Sequence, residues 1–172
     1  MIPGYQVVVL PEAGAAYDVP ADWKVEKATA AIGSGVDSLP VTGMSSEGAG
    51  YCPDYVRSNM FLTQSDETDP ASAITDVTTR LIKFAYTTST GSNPGAAEPF
   101  QTSDGNLSGI FVETTGTAPA PSAGCASTYS IYTFAFPAEE GALVLTITAD
   151  TGVDKSVTKD FAKQLMATLR PL

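Results

Sequence analysis

The sequence predicts a single α+β domain in which two main helices cover a central, mainly antiparallel sheet. Two late segments are the strongest strand signals: Tyr129–Phe136 puts Tyr132, Phe134 and Phe136 on one face, and Leu143–Ala149 puts Leu143, Leu145 and Ile147 on one face. Two other segments, near residues 70–88 and 154–169, carry apolar residues at helical spacing. The resulting order of strands, helix, strands and helix is typical of α+β domains rather than of repeated βαβ units.

The first 65 residues predict short strands joined by turns and loops. Strands or strand ends are predicted at Tyr5–Leu10, Ala16–Pro20, Trp23–Lys27, Tyr51-Cys52 and Asn59–Leu62. Proline ends the second of these, because it donates no hydrogen bond to a strand ladder. Residues 28–48 are rich in Gly, Ser and Ala, and we interpret them as a loop that holds at most one strand.

The first helix has a recognisable start. Asp69 is a candidate N-cap, and Pro70 suits the first helical position, where a missing N–H costs nothing. Asp76 and Arg80 lie four residues apart on the polar face and predict an ion pair. The helix should end near residues 87–89, and a polar loop should follow over residues 90–106.

The second half of the chain predicts three strands and the last helix. A strand at Leu107–Thr115 precedes the two strong strands, which the short stretch Pro137–Gly141 joins as a hairpin. The last helix is predicted to start at the N-cap Asp154 and to end at Leu169. One face of this helix carries a basic stripe formed by Lys155, Lys159, Lys163 and Arg170. We interpret this stripe as a solvated face, and contact with anionic lipid or wall polymers is the alternative.

These patterns together predict which side chains fill the core. The expected members are Trp23, Ile74, Val77, Leu81, Phe134, Leu145, Ile147, Phe161 and Leu165.

Composition excludes several classes of function. The 172 residues include 9 Lys and Arg against 19 Asp and Glu, a net charge of −10, which argues against nucleic acid as a partner. No apolar run reaches the roughly 18 residues of a membrane span. The chain has no His, which removes His-based triads and the common zinc sites. No phosphate-binding glycine motif is present, and we expect no cofactor and no metal.

Cys52 and Cys125 are the only cysteines. Neither lies in a C-x-x-C motif, so a redox or zinc role is disfavoured. A structural disulfide is favoured, with two buried free thiols or a reactive pair as alternatives. A disulfide would indicate an oxidising compartment.

Two short motifs suggest catalysis but have simpler interpretations. Asp150-Thr151-Gly152 after an apolar strand matches the aspartic-protease signature, yet that chemistry needs two carboxylates, and a strand-to-helix turn explains the tripeptide. Residues 156–159 read S-V-T-K, like the S-x-x-K motif of penicillin-binding enzymes, but the companion motifs are absent or out of order. Acidic residues near both helix starts fit no calcium-loop spacing. We therefore expect no catalytic residue.

Residues 17–25 read Y-D-V-P-A-D-W-K-V, which resembles the opening of small exported actinobacterial domains of unknown function. Tyr51-Cys52, Cys125 and the closing A-T-L-R at residues 167–170 follow in the same order. The architecture is similar to PsbP-like folds and LpqN-type lipoproteins. The resemblance implies Trp23 as a core anchor, a bridge between the two cysteines, and a position outside a single N-terminal membrane helix.

We therefore expect an N-terminal strand or linker at residues 1–14, leading from an anchor absent from this chain, and one domain at residues 15–172. The expected function is that of a non-catalytic, extracytoplasmic binding or sensing domain at the cell surface. Its expected partner is a cell-envelope protein, with a small apolar ligand or lipid as the alternative and a cell-wall hydrolase as a third class. The tyrosines at residues 51–55 and 129–132 are suited either to lining a ligand cavity or to filling the core.

Overall fold

The computed structural model describes residues 2–26 and 29–172. Its strands are β1 (Tyr5–Leu10), β2 (Ala15–Pro20), β3 (Lys24–Val25), β4 (Ala30–Ile32), β5 (Leu39–Glu47), β6 (Ser58–Ser65), β7 (Gly91–Pro94), β8 (Glu98–Gln101), β9 (Ser108–Thr117), β10 (Thr128–Pro137), β11 (Ala142–Thr151) and β12 (Arg170–Pro171). Its helices are α1 (Pro70–Ala85) and α2 (Lys159–Met166). In these ranges no helix has the length and apolar character needed to span a bilayer.

The strands form two sheets, and within each sheet all neighbouring strands are antiparallel. The large sheet has the order β3-β5-β6-β11-β10-β9-β7, with β4 also paired to β5 and β8 to β9. The small sheet has the order β1-β2-β12. The predicted fold class, a single α+β domain with an antiparallel sheet and two helices, is confirmed.

Both faces of the large sheet are covered. Because strand side chains alternate between faces, Tyr132, Phe134 and Phe136 of β10 pack toward the small sheet and α2, whereas Ile131 and Ala135 pack toward α1. A fully buried side chain such as Phe134 contributes about 2–3 kcal/mol through removal from water. The domain therefore has three layers, with one hydrophobic cluster on each side of the large sheet.

The first helix begins as predicted. The Asp69 carboxylate accepts a hydrogen bond from the backbone N–H of Ser72 at 2.9 Å, and Pro70 occupies the first turn. The apolar face is buried against the large sheet, and Asp76 pairs with Arg80. The helix ends at Ala85, two residues before the predicted range.

The second helix is shorter than predicted, and the predicted N-cap Asp154 is wrong. Lys155 has a φ of +60°, in the left-handed region, which stops a right-handed helix from forming there. The helix begins at Lys159, and the Thr158 hydroxyl accepts the capping hydrogen bond from the N–H of Phe161. Ser156 bonds the main chain of Val153 in a preceding turn, outside any helix.

The basic stripe is not a freely solvated face. Lys159 and Lys163 both form ion pairs with Glu98 of β8, and Lys163 Nζ lies 4.8 Å from the ring centroid of Phe111. Arg170 Nη2 lies 2.8 Å from Asp18 Oδ1. These contacts attach the second helix and the last strand to the sheets, whereas Lys155 is exposed.

Two predicted loops contain strands. Within residues 28–48 the structure has β4 and the nine-residue β5, and within residues 90–106 it has β7 and β8. β5 is irregular because its register against β6 shifts between Thr42 and Ser45, around Gly43 at a φ of +63°. Tertiary pairing thus stabilises strands whose Gly and Ser content disfavours them locally.

The predicted core is largely confirmed. Of its nine members, Phe161 is half-buried and the other eight are buried. Residues 5–10, predicted as a strand or linker, form β1 and place Val8 and Leu10 in the core. The predicted strand at Trp23–Lys27 corresponds to β3, and Lys27 lies outside the described residues.

Candidate functional site

A disulfide joins Cys52 to Cys125, whose Cα atoms are 5.2 Å apart. The bond connects loop 48–57, between β5 and β6, to loop 118–127, between β9 and β10. The favoured interpretation of the two cysteines is therefore confirmed, and both alternatives with free thiols are wrong.

The antiparallel order of the sheet explains why these loops meet. β6 and β10 flank β11 and run antiparallel to it, so both strands begin at the end of the sheet where β11 finishes. Loop 48–57 leads into β6 and loop 118–127 leads into β10. The disulfide therefore connects the two loops across the end of the central strand.

The two linked loops border a pocket of about 450 Å³, which we call the disulfide pocket. Its sheet residues are Asn59, Thr128, Tyr129, Thr148 and Asp150, and the last residue of α1, Ala85, lines it together with the following residues 86–88. Loop 48–57 contributes residues 54–57, and loop 118–127 contributes residues 118–121, 126 and 127. The lining thus combines tyrosines and small apolar side chains with hydroxyl, amide and charged groups, among them the Asp150 carboxylate.

A hydrogen-bond network centred on Tyr51 supports the pocket. The Tyr51 hydroxyl donates to Asp150 Oδ2 and accepts from the N–H of Ala126 at 3.2 Å. The N–H of Asp150 donates to the carbonyl of Arg57 at 2.8 Å. One tyrosine therefore links loop 48–57 to both the end of β11 and loop 118–127.

Burial perturbs the titration of this network. Partial burial raises the pKa of the Asp150 carboxyl, and the hydrogen bond from Tyr51 opposes that rise only in part. Burial, followed by the hydrogen bond to Asp150, also raises the pKa of Tyr51. Burial dominates the raised pKa of Tyr86. A carboxylate and two phenols with shifted pKa values thus occur together, which is characteristic of functional sites.

The one arginine in the pocket lining is engaged elsewhere. Arg57 forms a two-point ion pair with Glu47, with Nε 3.0 Å from Oε1, and its Cζ lies 5.8 Å from the ring centroid of Tyr51. Within residues 2–26 and 29–172, no lysine or arginine forms an ion pair with Asp150. The charge of that carboxylate therefore faces the pocket without a cationic partner.

Tyrosines form the aromatic part of the pocket. The rings of Tyr86 and Tyr129 stack with centroids 3.8 Å apart and an angle of 12° between their planes. Tyr55 and Val56 line the pocket while remaining 45% and 36% exposed. Asp54 beside them has a φ of +65°, an uncommon conformation outside glycine. Loop 48–57 thus leaves the side chains of Tyr55 and Val56 partly exposed to solvent.

The two catalytic-looking motifs lie between the end of β11 and the start of α2. Asp150 lies in the pocket, but Gly152, at a φ of +74°, continues into a turn, as the simpler interpretation predicts. Among the described residues, no three His, Cys, Asp or Glu side chains are grouped so as to hold a metal ion. Of the tyrosines expected either to line a cavity or to fill the core, Tyr55 lines the pocket and Tyr132 fills the core, whereas Tyr129 does both.

The fold and site define an α+β domain with an open pocket between two loops that a disulfide joins. The chain matches the family described as "Domain of unknown function (DUF8017)" over residues 1–172, and it belongs to that family. No curated protein matches it. A crystal structure from Bacteroides thetaiotaomicron, solved at 1.50 Å resolution, is similar over 98% of this chain and 49% of that chain, with 12% identity and a TM-score of 0.47. The chain thus spans about half the length of that protein.

Proposed function

We propose that this chain is a non-catalytic, extracytoplasmic binding domain of the cell envelope and that the disulfide pocket holds its ligand. The observation that carries the proposal is the pocket itself. Its volume of about 450 Å³ falls within the range of about 300–1,000 Å³ typical of ligand sites. Its lining combines aromatic and small apolar side chains with polar groups that can orient a ligand, among them Asp54, Asn59 and Asp150.

The disulfide supports the extracytoplasmic location in this proposal. Persistent disulfides form in oxidising environments, so the bond between Cys52 and Cys125 supports a location outside the cytoplasm. Attachment at the cell surface through an N-terminal anchor is the further part of this proposal. Its support is the resemblance to exported actinobacterial domains.

The chemistry of the pocket favours binding over catalysis. Acid–base or nucleophilic catalysis requires a positioned reactive pair, such as a nucleophile beside a base. The Asp150 carboxylate instead accepts a hydrogen bond from Tyr51, which also holds the loop backbone at Ala126. This arrangement stabilises the pocket walls.

A concave pocket favours a small molecule, or one protruding group of a larger partner, over the broad protein interface of a cell-envelope partner. A protein partner remains the second candidate, because Tyr55 and Val56 present exposed apolar area beside the pocket. Both candidates place the contact on the same face of the domain.

Nuclear magnetic resonance of the oxidised, ¹⁵N-labelled domain tests the site. We expect members of a library of neutral, anionic and cationic small molecules to shift the amide signals of pocket residues. Ala85→Trp, which places an indole in the lining, should abolish these shifts. Ala71→Trp, at an exposed position on the same helix, should leave them intact. Shifts confined to other surfaces, or unaffected by Ala85→Trp, would refute the proposal.

A further inference from the structure

In the described part of the chain, five other carboxylates that are at least partly buried are paired with a cation: Asp18 with Arg170, Asp37 with Lys83, Glu47 with Arg57, Asp76 with Arg80, and Glu98 with Lys159 and Lys163. Glu113 accepts a hydrogen bond from the neutral Ser130 hydroxyl and does not line the disulfide pocket. Asp150 has a single neutral donor to its side chain, the Tyr51 hydroxyl, and lines an open cavity. A partly buried carboxylate with one neutral donor retains capacity for a further cationic partner.

The surroundings of Asp150 favour one kind of cation. Tyr55 lines the pocket and is 45% exposed, and tyrosine ring faces attract ammonium groups that lie over them. Tyr86 and Tyr129 also line the pocket, but their stacked rings face each other. Small apolar residues of loop 118–127 form the opposite wall and offer contact to a hydrocarbon body. Among the described residues, no three His, Cys, Asp or Glu side chains are grouped here so as to hold a metal ion, which disfavours a small, strongly hydrated cation.

Charge favours the same class of ligand. Asp54 lines the pocket as a second acidic residue, and Arg57 is neutralised by its two-point pairing with Glu47. The domain as a whole has a net charge of −10, so its field attracts cations and repels anions at a distance. A ligand with a positive head group and an apolar body is complementary to the pocket in both charge and lining.

We infer that the ligand of the disulfide pocket carries an organic ammonium group, which contacts the Asp150 carboxylate while its apolar part lies against the tyrosine and loop walls. This inference rests on the proposed function and adds the chemical class of the ligand. The ammonium group belongs either to a free small amine or to a lysine side chain of a peptide. The chemistry at Asp150 is the same in both cases.

The test compares three probes of similar size and different charge: phenethylammonium, 2-phenylethanol and 3-phenylpropionate. Dissociation constants come from titrations monitored by amide shifts of the pocket residues at neutral pH. We expect phenethylammonium to bind about tenfold more tightly than the neutral alcohol, a difference of about 1.4 kcal/mol, and the anion to bind most weakly.

Asp150→Asn tests the role of the carboxylate. The asparagine oxygen can still accept the hydrogen bond from Tyr51, so the fold should persist, as unchanged amide signals outside the pocket would show. We expect this variant to lose most of the preference for the amine over the alcohol. Asp22→Asn removes the same charge from an exposed turn and should preserve the preference.

The outcomes separate the two proposals. If the alcohol or the anion binds in the pocket as tightly as the amine, or if Asp150→Asn keeps the preference, the ligand class is wrong while the pocket remains a binding site. If no compound of any charge shifts the pocket signals, both proposals are wrong. A lysine-containing peptide and its Nε-acetylated counterpart distinguish the two sources, because only the former should bind if the ammonium belongs to a peptide.

Discussion

The hydroxyl of Tyr51 donates a hydrogen bond to the carboxylate of Asp150, which lies 99 residues later in the chain. The same oxygen accepts the N–H of Ala126, so three distant segments meet at one atom. The disulfide between Cys52 and Cys125 joins two of these segments through the residues next to Tyr51 and Ala126. Covalent and hydrogen-bonded links therefore act side by side at the pocket.

Replacement of Tyr51 by Phe removes both hydrogen bonds. We expect the free energy of unfolding, measured by urea denaturation, to fall by about 1–2 kcal/mol, because a partly buried carboxylate loses its donor. The pKa of Asp150 should rise further, since that donor stabilises the charged form. Tyr55→Phe makes the same change in an exposed ring and should change stability by less than about 0.5 kcal/mol. Equal effects of the two variants would contradict the role of Tyr51.

Loss of the disulfide should lower stability strongly. The bond spans a sequence separation of 73 residues, for which the chain-entropy model gives about 4 kcal/mol. Urea denaturation of the domain with and without a reductant measures this difference directly. The double variant Cys52→Ser/Cys125→Ser checks that the effect comes from the bond. A difference below about 1 kcal/mol would show that the loops meet equally well without it.

Glu98 should make stability depend on pH in the acidic range. Hydrogen bonds from Lys159 and then Lys163 lower the pKa of Glu98 from 4.5 to about 2. Because the folded pKa is depressed, this contribution is fully present above the unfolded value and disappears as the pH falls toward the folded value. The melting temperature of the wild type should therefore exceed that of Glu98→Gln at pH 6.

That difference should shrink between pH 4.5 and pH 2. The exposed Glu139 offers a matched control, and Glu139→Gln should change the melting temperature little at any pH. A difference for Glu98→Gln that stays constant from pH 6 to pH 2 would contradict the ion-pair explanation.

Gly43 should be intolerant of a side chain for two reasons. Its φ of +63° disfavours L-residues, and a Cβ at this position would overlap Cδ2 of Leu10 in the small sheet. We expect Gly43→Ala to lower the free energy of unfolding by about 2–4 kcal/mol. Gly14 has a φ of +58° with open space around it, so Gly14→Ala should cost only about 1 kcal/mol. If Gly43→Ala and Gly14→Ala lowered the free energy of unfolding by similar amounts, backbone strain alone would account for both losses.

The sequence predicts best those elements whose signal is local. β10 and β11 are rich in β-branched and aromatic residues, and α1 carries its own cap at Asp69, so each is specified by a few neighbouring residues. By contrast, β5 depends on pairing with β4 and β6, and its Gly and Ser residues gave no strand signal. The start of α2 was misplaced because the left-handed backbone of Lys155 has no signature in a lysine.

In the candidate site, too, the features with a local sequence signal are predictable, and those that depend on the topology are not. The cysteine count predicted the cross-link, and tyrosines beside Cys52 and after Cys125 suggested a cavity lining. In the sequence, Asp150 stands out only as part of Asp150-Thr151-Gly152, a tripeptide that a strand-to-helix turn explains. Its connection to Tyr51 follows from the antiparallel order of β6, β11 and β10, which no local pattern encodes. The pocket could therefore be recognised only once the topology was known.

The disulfide also determines how the domain would respond to tension applied at its two ends. The chain between the bridged cysteines contains all of β6, α1, β7, β8 and β9. While the bond is intact, this segment bears no load and cannot be drawn out. At roughly 3.5 Å per residue, a separation of 73 residues withholds about 250 Å of contour length. A stretched, oxidised domain should therefore extend much less than its length suggests, with β6 and the end of α1 inside the shielded loop and β10 and β11 outside it.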